Sequence, residues 1–520
     1  MRLFAFAVTY AAVVWAGMGA ASGQEAALRA RIKIDSDRRI GEIDRKIYGN
    51  FAEHLGRCIY GGIFEEGSPL ADKDGYRRDV KEAVDRLKVP ILRWPGGNFS
   101  SGYHWLDGIG PRDSRPGRLE LAWRTTESNR FGTHEFLDYT EMMGIDPYIC
   151  LNLGTGTWDE AKFWVEYTNV PGGTYYSDLR KKNGREKPWN VKYWSLGNEM
   201  DGPWQMGHRN AEDYSKFALE AAKLMKWTDP GIKLVAAGSS NFGSGADWVS
   251  WNRTVLNALK NQIDYISVHT YVGNSANDYY DFVASAREVQ ERTKVLEGTI
   301  REALVTAPRD KHIYIAWDEW NVWYRARGGA AAEGHNALEE KYNLEDSLVV
   351  ATFLNTFVNN AHIVKMANMA QLVNVIAPIF TNKDGLFLQT IYYPLMLFSN
   401  NSRGTALDLF VESPTYSSHK YGEVPYLDVS AAYDNGTVVL NVVNRSLDKP
   451  VEAHIESQKG TFHGSYEVAE VNGPDIKAEN TFGSVKVHMV NKSATADGPQ
   501  MIYSFPPHSY TMIKGSLGNY

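Results

Sequence analysis

The stretch Val191-Lys-Tyr-Trp-Ser-Leu-Gly-Asn-Glu199 decides the fold. It is apolar or aromatic at Val191, Tyr193, Trp194 and Leu196, with little alternation, as in a strand covered on both faces. It ends in Gly-Asn-Glu, a turn residue followed by two polar side chains. Similar runs recur at Ile47–Glu53, Ile91–Pro95, Asp146–Gly154, Leu234–Ser239, Tyr265–Tyr271, Ile313–Glu319 and Asn374–Phe380. Helical patterns separate them, among them Arg77–Leu87, Gly132–Met143, Ala211–Trp227 and Tyr279–Leu304. Alternating strand and helix implies parallel βα units, and eight of them over about 350 residues fit an α/β fold, a (β/α)8 TIM barrel. A doubly wound open sheet would call for a Gly-rich phosphate turn, and neither G-x-G-x-x-G nor a Walker sequence occurs.

After Ser402 the texture changes. Thr437–Val443, Val451–Ile455, Ser484–Val490 and Met501–Phe505 are β-rich, with Gly, Asn and Pro between them, which reads as an antiparallel β-sandwich. Arg29–Ile34 alternates and is expected to join it. The expected organisation is a signal peptide over 1–23, an N-terminal segment over 24–44, a catalytic barrel over 45–402 and a sandwich over 403–520. Arg2, the uncharged run Leu3–Met18 and the small residues Ala21-Ser22-Gly23 suggest export, hence a secreted or periplasmic protein. That run is shorter than the roughly 20 residues a membrane span needs.

Composition excludes several classes. Of 520 residues, 43% are hydrophobic and 22% charged, values of a soluble globular chain rather than a disordered or multi-span one. The net charge of −7 and the lack of a basic run argue against nucleic-acid binding. The 15 Trp and 29 Tyr suit sugar rings, though they also fill cores. Cys58 and Cys150 are read as two buried thiols. No H-E-x-x-H, paired C-x-x-C or EF-hand loop suggests a metal, and no cofactor is expected. No G-x-S-x-G elbow suggests a serine hydrolase.

In a (β/α)8 barrel the chemistry sits where the strands end. Glu199 and Glu319 each close an apolar strand, and a glycosidic bond is cleaved by two such carboxyl groups. Burial among Trp194, Trp204, Trp320 and Trp323 is expected to raise the proton affinity of the acid.

The wording of the strand ends resembles glycoside hydrolase family 51, the α-L-arabinofuranosidases of clan A. The matching stretches are Phe51-Ala-Glu-His-Leu-Gly-Arg-Cys-Ile-Tyr-Gly-Gly-Ile63, Leu92-Arg-Trp-Pro-Gly-Gly-Asn-Phe99, Trp123-Arg-Thr-Thr-Glu-Ser-Asn-Arg-Phe-Gly132, Asn152-Leu-Gly-Thr-Gly-Thr157, Gly197-Asn-Glu-Met-Asp-Gly-Pro-Trp-Gln-Met-Gly-His208, Val268-His-Thr-Tyr271, Asp318-Glu-Trp-Asn-Val-Trp-Tyr324 and Gln389-Thr-Ile-Tyr-Tyr-Pro394. The resemblance implies Glu199 as general acid/base and Glu319 as nucleophile of a retaining enzyme. It implies Glu53, Arg93, Asn98, Trp123, Asn198, His269, Tyr271 and Gln389 as residues binding the arabinofuranosyl unit. It also implies arabinose-containing polysaccharides or oligosaccharides as substrates and leaves a homo-oligomer open. An endo-β-1,4-glucanase or xylanase of the same clan and a non-catalytic carbohydrate-binding protein are the alternatives.

Overall fold

The computed structural model describes residues 28–240, 247–328 and 332–518. The proposed signal peptide lies outside them. Eight parallel strands close into a barrel: β1 Gly49–Phe51, β2 Ile91–Trp94, β3 Asp146–Cys150, β4 Tyr193–Leu196, β5 Lys233–Ala237, β6 Tyr265–Val272, β7 Tyr314–Val322 and β8 Val364–Ala370. Each pairs with its neighbours in chain order, and β8 closes on β1. Four-residue strands such as β2 and β4 are buried at every position, which is why their sequences are apolar runs.

One layer plugs the barrel interior. Ile91, Tyr148, Tyr193, Val235, Tyr265, Ala316 and Met366, one from each of β2 to β8, form a cluster of their own. The eighth place, on β1, is Gly49, where a Cβ would come within 2.6 Å of Ile91 Cγ2 and 2.8 Å of the Ala367 carbonyl oxygen. Above this plug the interior turns polar, beginning with Tyr148, whose hydroxyl donates to Asp318 Oδ2 at 2.6 Å.

The eighth strand corrects the sequence reading. Asn374–Phe380 is not in the barrel; Ile379–Asn382 instead forms a hairpin with Gly385–Leu388. The barrel strand is Val364–Ala370, whose Lys365 and Asn368 hide its apolar character. Lys365 reaches the Glu42 carbonyl at 2.6 Å, and buried Asn368 donates to the Asn50 carbonyl at 2.9 Å. The helix expected over Tyr279–Leu304 is two, Tyr279–Val283 and Ala286–Leu304, with the Val283 carbonyl taken by Arg445 at 3.0 Å. The strand expected over Ser484–Val490 starts later, at His488, because the Asn480 carboxamide oxygen accepts from the Lys486 and Val487 amides, each at 2.9 Å.

Two further sheets pack face to face. One contains Leu28–Ile34 between Phe410–Glu412 and Val451–Ser457, with Gln500–Phe505 at the far edge. The other has seven strands, and its edge is Arg39–Glu42 beside Thr405–Leu407. Ile32, Leu440, Val442, Ile455, Val468, Phe505 and Ile513 fill the space between them. The helix Leu344–Asn359 lies between the barrel and these sheets and is buried from Leu344 to Val358, so apolar side chains recur around it and its buried polar ones need partners. Its Asn355 donates to Asp428 Oδ1 at 2.7 Å.

Gly49→Ala should destabilise the protein by about 1–3 kcal/mol, because the interior layer has no room for a methyl group. Thermal melting of the variant checks this, and an unchanged Tm would mean that β1 can shift outward.

Candidate active site

The mouth of the barrel gathers acidic and aromatic side chains, and backbone irregularities aim two of them. After β4 the chain turns at Gly197 (φ 85°) and again at Glu199 (φ 44°), a left-handed conformation that is uncommon for a non-glycine residue. The Glu199 carboxylate is held from two sides, by Trp204 Nε1 at 2.6 Å and His269 Nδ1 at 2.9 Å. In β7 the register slips by one residue against both neighbours: Ser267 faces Ala316 but His269 faces Glu319, and Trp317 pairs with Ala367 but Trp320 with Met369. This one-residue bulge lets consecutive Asp318 and Glu319 both serve the barrel interior. Trp317 and Trp320 point outward and pack on Phe357.

Arg93, fully buried on β2, ties the floor together. It donates to Glu319 Oε2 at 2.8 Å and the Asp318 carbonyl at 3.1 Å, and to Asn198 Oδ1, with its guanidinium 4.5 Å from the Phe51 ring centre. Tyr271 donates its hydroxyl to Glu319 Oε1 at 2.8 Å. Both oxygens of Glu319 are thus held. Asp318, also fully buried, accepts from Tyr148 and Ser267 and lies 3.3 Å from His269 Nε2. Burial opposes its charge, but Arg93 and His269 override this and bring its pKa down to about 2. Burial likewise opposes charge on His269, yet Glu319, Asp318 and Glu199 hold it well above the ordinary histidine range. Glu199 is raised, first by burial and further by the Glu319 charge, against the bond from His269. One oxygen of Glu199, one of Glu319 and a His269 ring nitrogen all lie within 4.8 Å of one another.

Above this floor opens a cavity of about 650 Å³, lined among others by Glu53, Asn98, Trp123, Glu199, Trp204, His269, Tyr271, Glu319, Trp323 and Gln371. Glu53 accepts from the Phe99 amide at 3.0 Å, Trp123 Nε1 at 3.1 Å and Gln371 Nε2 at 3.1 Å, and burial pushes its pKa up to about 8. Arg93 and Asn198 sit beneath the cavity wall rather than on it, Asn198 donating to Gln205 Oε1 at 3.3 Å. Gln389 does not reach the cavity. Its carboxamide is used on the Tyr342 amide and on the Glu340 and Ala377 carbonyls, each at 2.9 Å. The glutamine in the cavity is Gln371, one residue past β8. Of the four tryptophans expected around the acid, Trp204 and Trp323 line the cavity; Trp194 and Trp320 belong to the helical layer. Cys58 and Cys150 are buried free thiols.

Comparisons with known proteins agree with this geometry. Residues 83–291 match the family description Alpha-L-arabinofuranosidase 1 domain, and residues 318–509 match Alpha-L-arabinofuranosidase C-terminal domain. The chain is 43% identical to alpha-L-arabinofuranosidase C of Emericella nidulans, covering 93% of this chain and 97% of the relative. It is 42% identical to an intracellular exo-alpha-(1->5)-L-arabinofuranosidase of Bacillus subtilis, covering 94% and 99%. The structure of the thermostable GH51 alpha-L-arabinofuranosidase from Thermotoga petrophila superposes with a TM-score of 0.85 at 42% identity, covering 93% of this chain and 99% of that one. The intracellular Bacillus relative overturns the secreted or periplasmic placement read from the N-terminus.

The Asp318 pKa of about 2 lies below its ordinary 3.8, so its charge stabilises the fold above about pH 4, and that contribution fades as the pH falls towards 2. Asp318→Asn should therefore cost roughly 2–3 kcal/mol at pH 7. In melts recorded from pH 7 downwards, the gap to wild type should narrow below about pH 4. A gap constant with pH would mean that the loss comes from packing, not charge.

Proposed function

From the membership of this chain in glycoside hydrolase family 51, the α-L-arabinofuranosidases, we propose a retaining double displacement in which Glu319 is the nucleophile and Glu199 the acid/base. The protein is an exo-acting α-L-arabinofuranosidase, a glycoside hydrolase of arabinose-containing glycans. The observation that carries the mechanism is that one oxygen of Glu199 and one of Glu319 lie within 4.8 Å of each other. Retaining enzymes hold the pair roughly 5–5.5 Å apart, whereas inverting ones leave roughly 6.5–9.5 Å for a water.

The steps follow from the contacts. Glu319, oriented by Arg93 and Tyr271, attacks the anomeric carbon as the glycosidic C–O bond breaks. Glu199 gives its proton to the departing oxygen. A glycosyl ester on Glu319 then removes the charge that had helped to raise Glu199, which loses proton affinity as its role changes to base. It takes a proton from water, the water oxygen attacks the anomeric carbon, and Glu319 is released. Glu53, Asn98, Trp123, Tyr271 and Gln371 hold the sugar, and Arg93, Asn198 and His269 hold the carboxylates in place. Terminal α-L-arabinofuranosyl residues of arabinoxylan, arabinan and arabino-oligosaccharides are the proposed substrates. The exo-acting relative and a cavity confined to the barrel mouth favour a terminal sugar over the long cleft an endo-glucanase or xylanase needs.

Glu319→Ala should lower kcat by roughly four orders of magnitude or more, as for removal of other enzyme nucleophiles. Azide should restore part of the activity and yield the β-configured arabinofuranosyl azide. Near-normal turnover would remove Glu319 from the role.

Glu199→Ala should slow natural substrates by about 10²–10⁴-fold, and aryl arabinofuranosides with good leaving groups far less in the first step. Azide should here give the α-configured product. Equal losses on both substrate types, measured by burst and steady-state kinetics, would indicate a structural role.

A further inference from the structure

Arg292 and Arg327 line the cavity and Arg124 follows the lining Trp123; two of the three are committed. Arg124 pairs with Glu333 at 3.1 Å. Arg292 is held by Glu288 four residues before it on the same helix. Arg327, five residues past the end of β7 in the loop that follows, is different. Its guanidinium carbon lies 4.2 Å from the Trp323 ring centre and 6.0 Å from that of Tyr271. Among the described residues no carboxylate lies within ion-pair distance of it.

A guanidinium stacked on a ring presents its N–H groups in the plane, free at the edge, in the fork that fits a carboxylate. The stack also fixes the fork, so less conformational freedom is lost when an anion docks. Trp323 meets Tyr271 edge-on at 5.2 Å, and Tyr271 donates to Glu319. Arg327 is therefore built onto the same wall as the reacting carboxylates but outside the place of the scissile bond. What lies there in a bound substrate is the glycan from which arabinose is cut. The nearby acidic groups are engaged elsewhere: Glu319 is bonded to Arg93, Glu199 to His269, Glu53 to three N–H donors, and Glu340, which acts on Arg327 only from beyond ion-pair distance, to the amides of Tyr324, Arg325 and Ala326.

We infer that Arg327 forms a leaving-group subsite for an acidic aglycone, a uronic acid residue carried next to the arabinosylated unit. The inference rests on the arabinofuranosidase reading of this cavity. It adds to that reading a preference among branched glycans, for those bearing glucuronic or galacturonic acid near the branch.

The test uses one arabinofuranosylated oligosaccharide with a neighbouring uronosyl residue, and the same oligosaccharide after reduction of its carboxyl group to the alcohol. The ratio of kcat/KM, acidic over neutral, does not depend on the amount of active enzyme. For wild type at low ionic strength it should be roughly three to five, the range of an exposed ion pair. It should fall towards one in 0.5 M salt. Arg327→Gln should bring it close to one at any salt, and Arg327→Lys, which keeps charge but not the fork, should lie between. A wild-type ratio of one or less overturns the inference, as does a ratio that survives in Arg327→Gln, including the case where both substrates slow together. Release of p-nitrophenol from its α-L-arabinofuranoside by wild type is measured alongside, and its absence would sink the arabinofuranosidase reading instead.

Discussion

A guanidinium with no access to water has to be surrounded by acceptors, and Arg93 organises the mouth of this barrel on that condition. Removing a cation from water costs several kcal/mol unless anions and hydrogen-bond acceptors replace the solvent. Here Glu319, the Asp318 carbonyl and Asn198 do so, with the Phe51 ring beneath. The same acceptors come from β4 and β7, so one buried charge fixes the relation between two strands that are 120 residues apart in sequence and on different sides of the barrel. Arg93 and His269 balance Asp318 and Glu319. Within that balance a further negative charge on Glu199 is disfavoured, which agrees with its raised pKa. The raised proton affinity of Glu199 and the fixed carboxylate of Glu319, one oxygen of each within 4.8 Å of the other, thus follow from one electrostatic account.

The barrel separates this chemistry from its stability by height. The apolar layer from Ile91 to Met366 makes no demand on charge and holds the strands in register. Tyr148 joins the two levels, its ring in the apolar layer and its hydroxyl on Asp318. Regular alternation in β7 would have sent either Asp318 or Glu319 into the helices. The bulge is what permits both, one below as the partner of Arg93 and His269, one above facing the cavity.

Much of this was legible in the sequence, because runs buried on both faces carry a strong apolar signal and the strand ends carry an equally strong polar one. Seven of the eight strand positions and both glutamates could be read that way. Strand β8 could not, since Lys365 and Asn368 are excused by contacts to β1 and its surroundings that no local pattern reveals. Gln389 is implied by the resemblance of its own stretch to the family, whereas Gln371, one residue past β8, lies on a strand whose pattern does not announce its end. The tryptophans failed for a different reason. Trp320 follows Glu319 directly, and neighbours along a strand face opposite ways, so closeness in sequence to Glu319 argued against closeness in space.

Gln389 was assigned the wrong task rather than no task. It fastens the segment Glu340–Tyr342 by both ends of its carboxamide. Glu340 in turn accepts from the amides of Tyr324, Arg325 and Ala326 at 3.0–3.2 Å, fixing the loop that begins at Trp323. Arg325 adds a bond to Asp346 at 3.0 Å at the start of the long buried helix, and Lys477, from the sandwich, bonds its neighbour Glu345 at 2.5 Å. The wall that carries Trp323 and Arg327 is therefore anchored through a chain of carboxylates to the second domain. A barrel alone could supply the floor and the two glutamates, but the rim against which the leaving glycan must rest is held from the sandwich side. That gives the C-terminal sheets a part in substrate choice although none of their strands reaches the cavity.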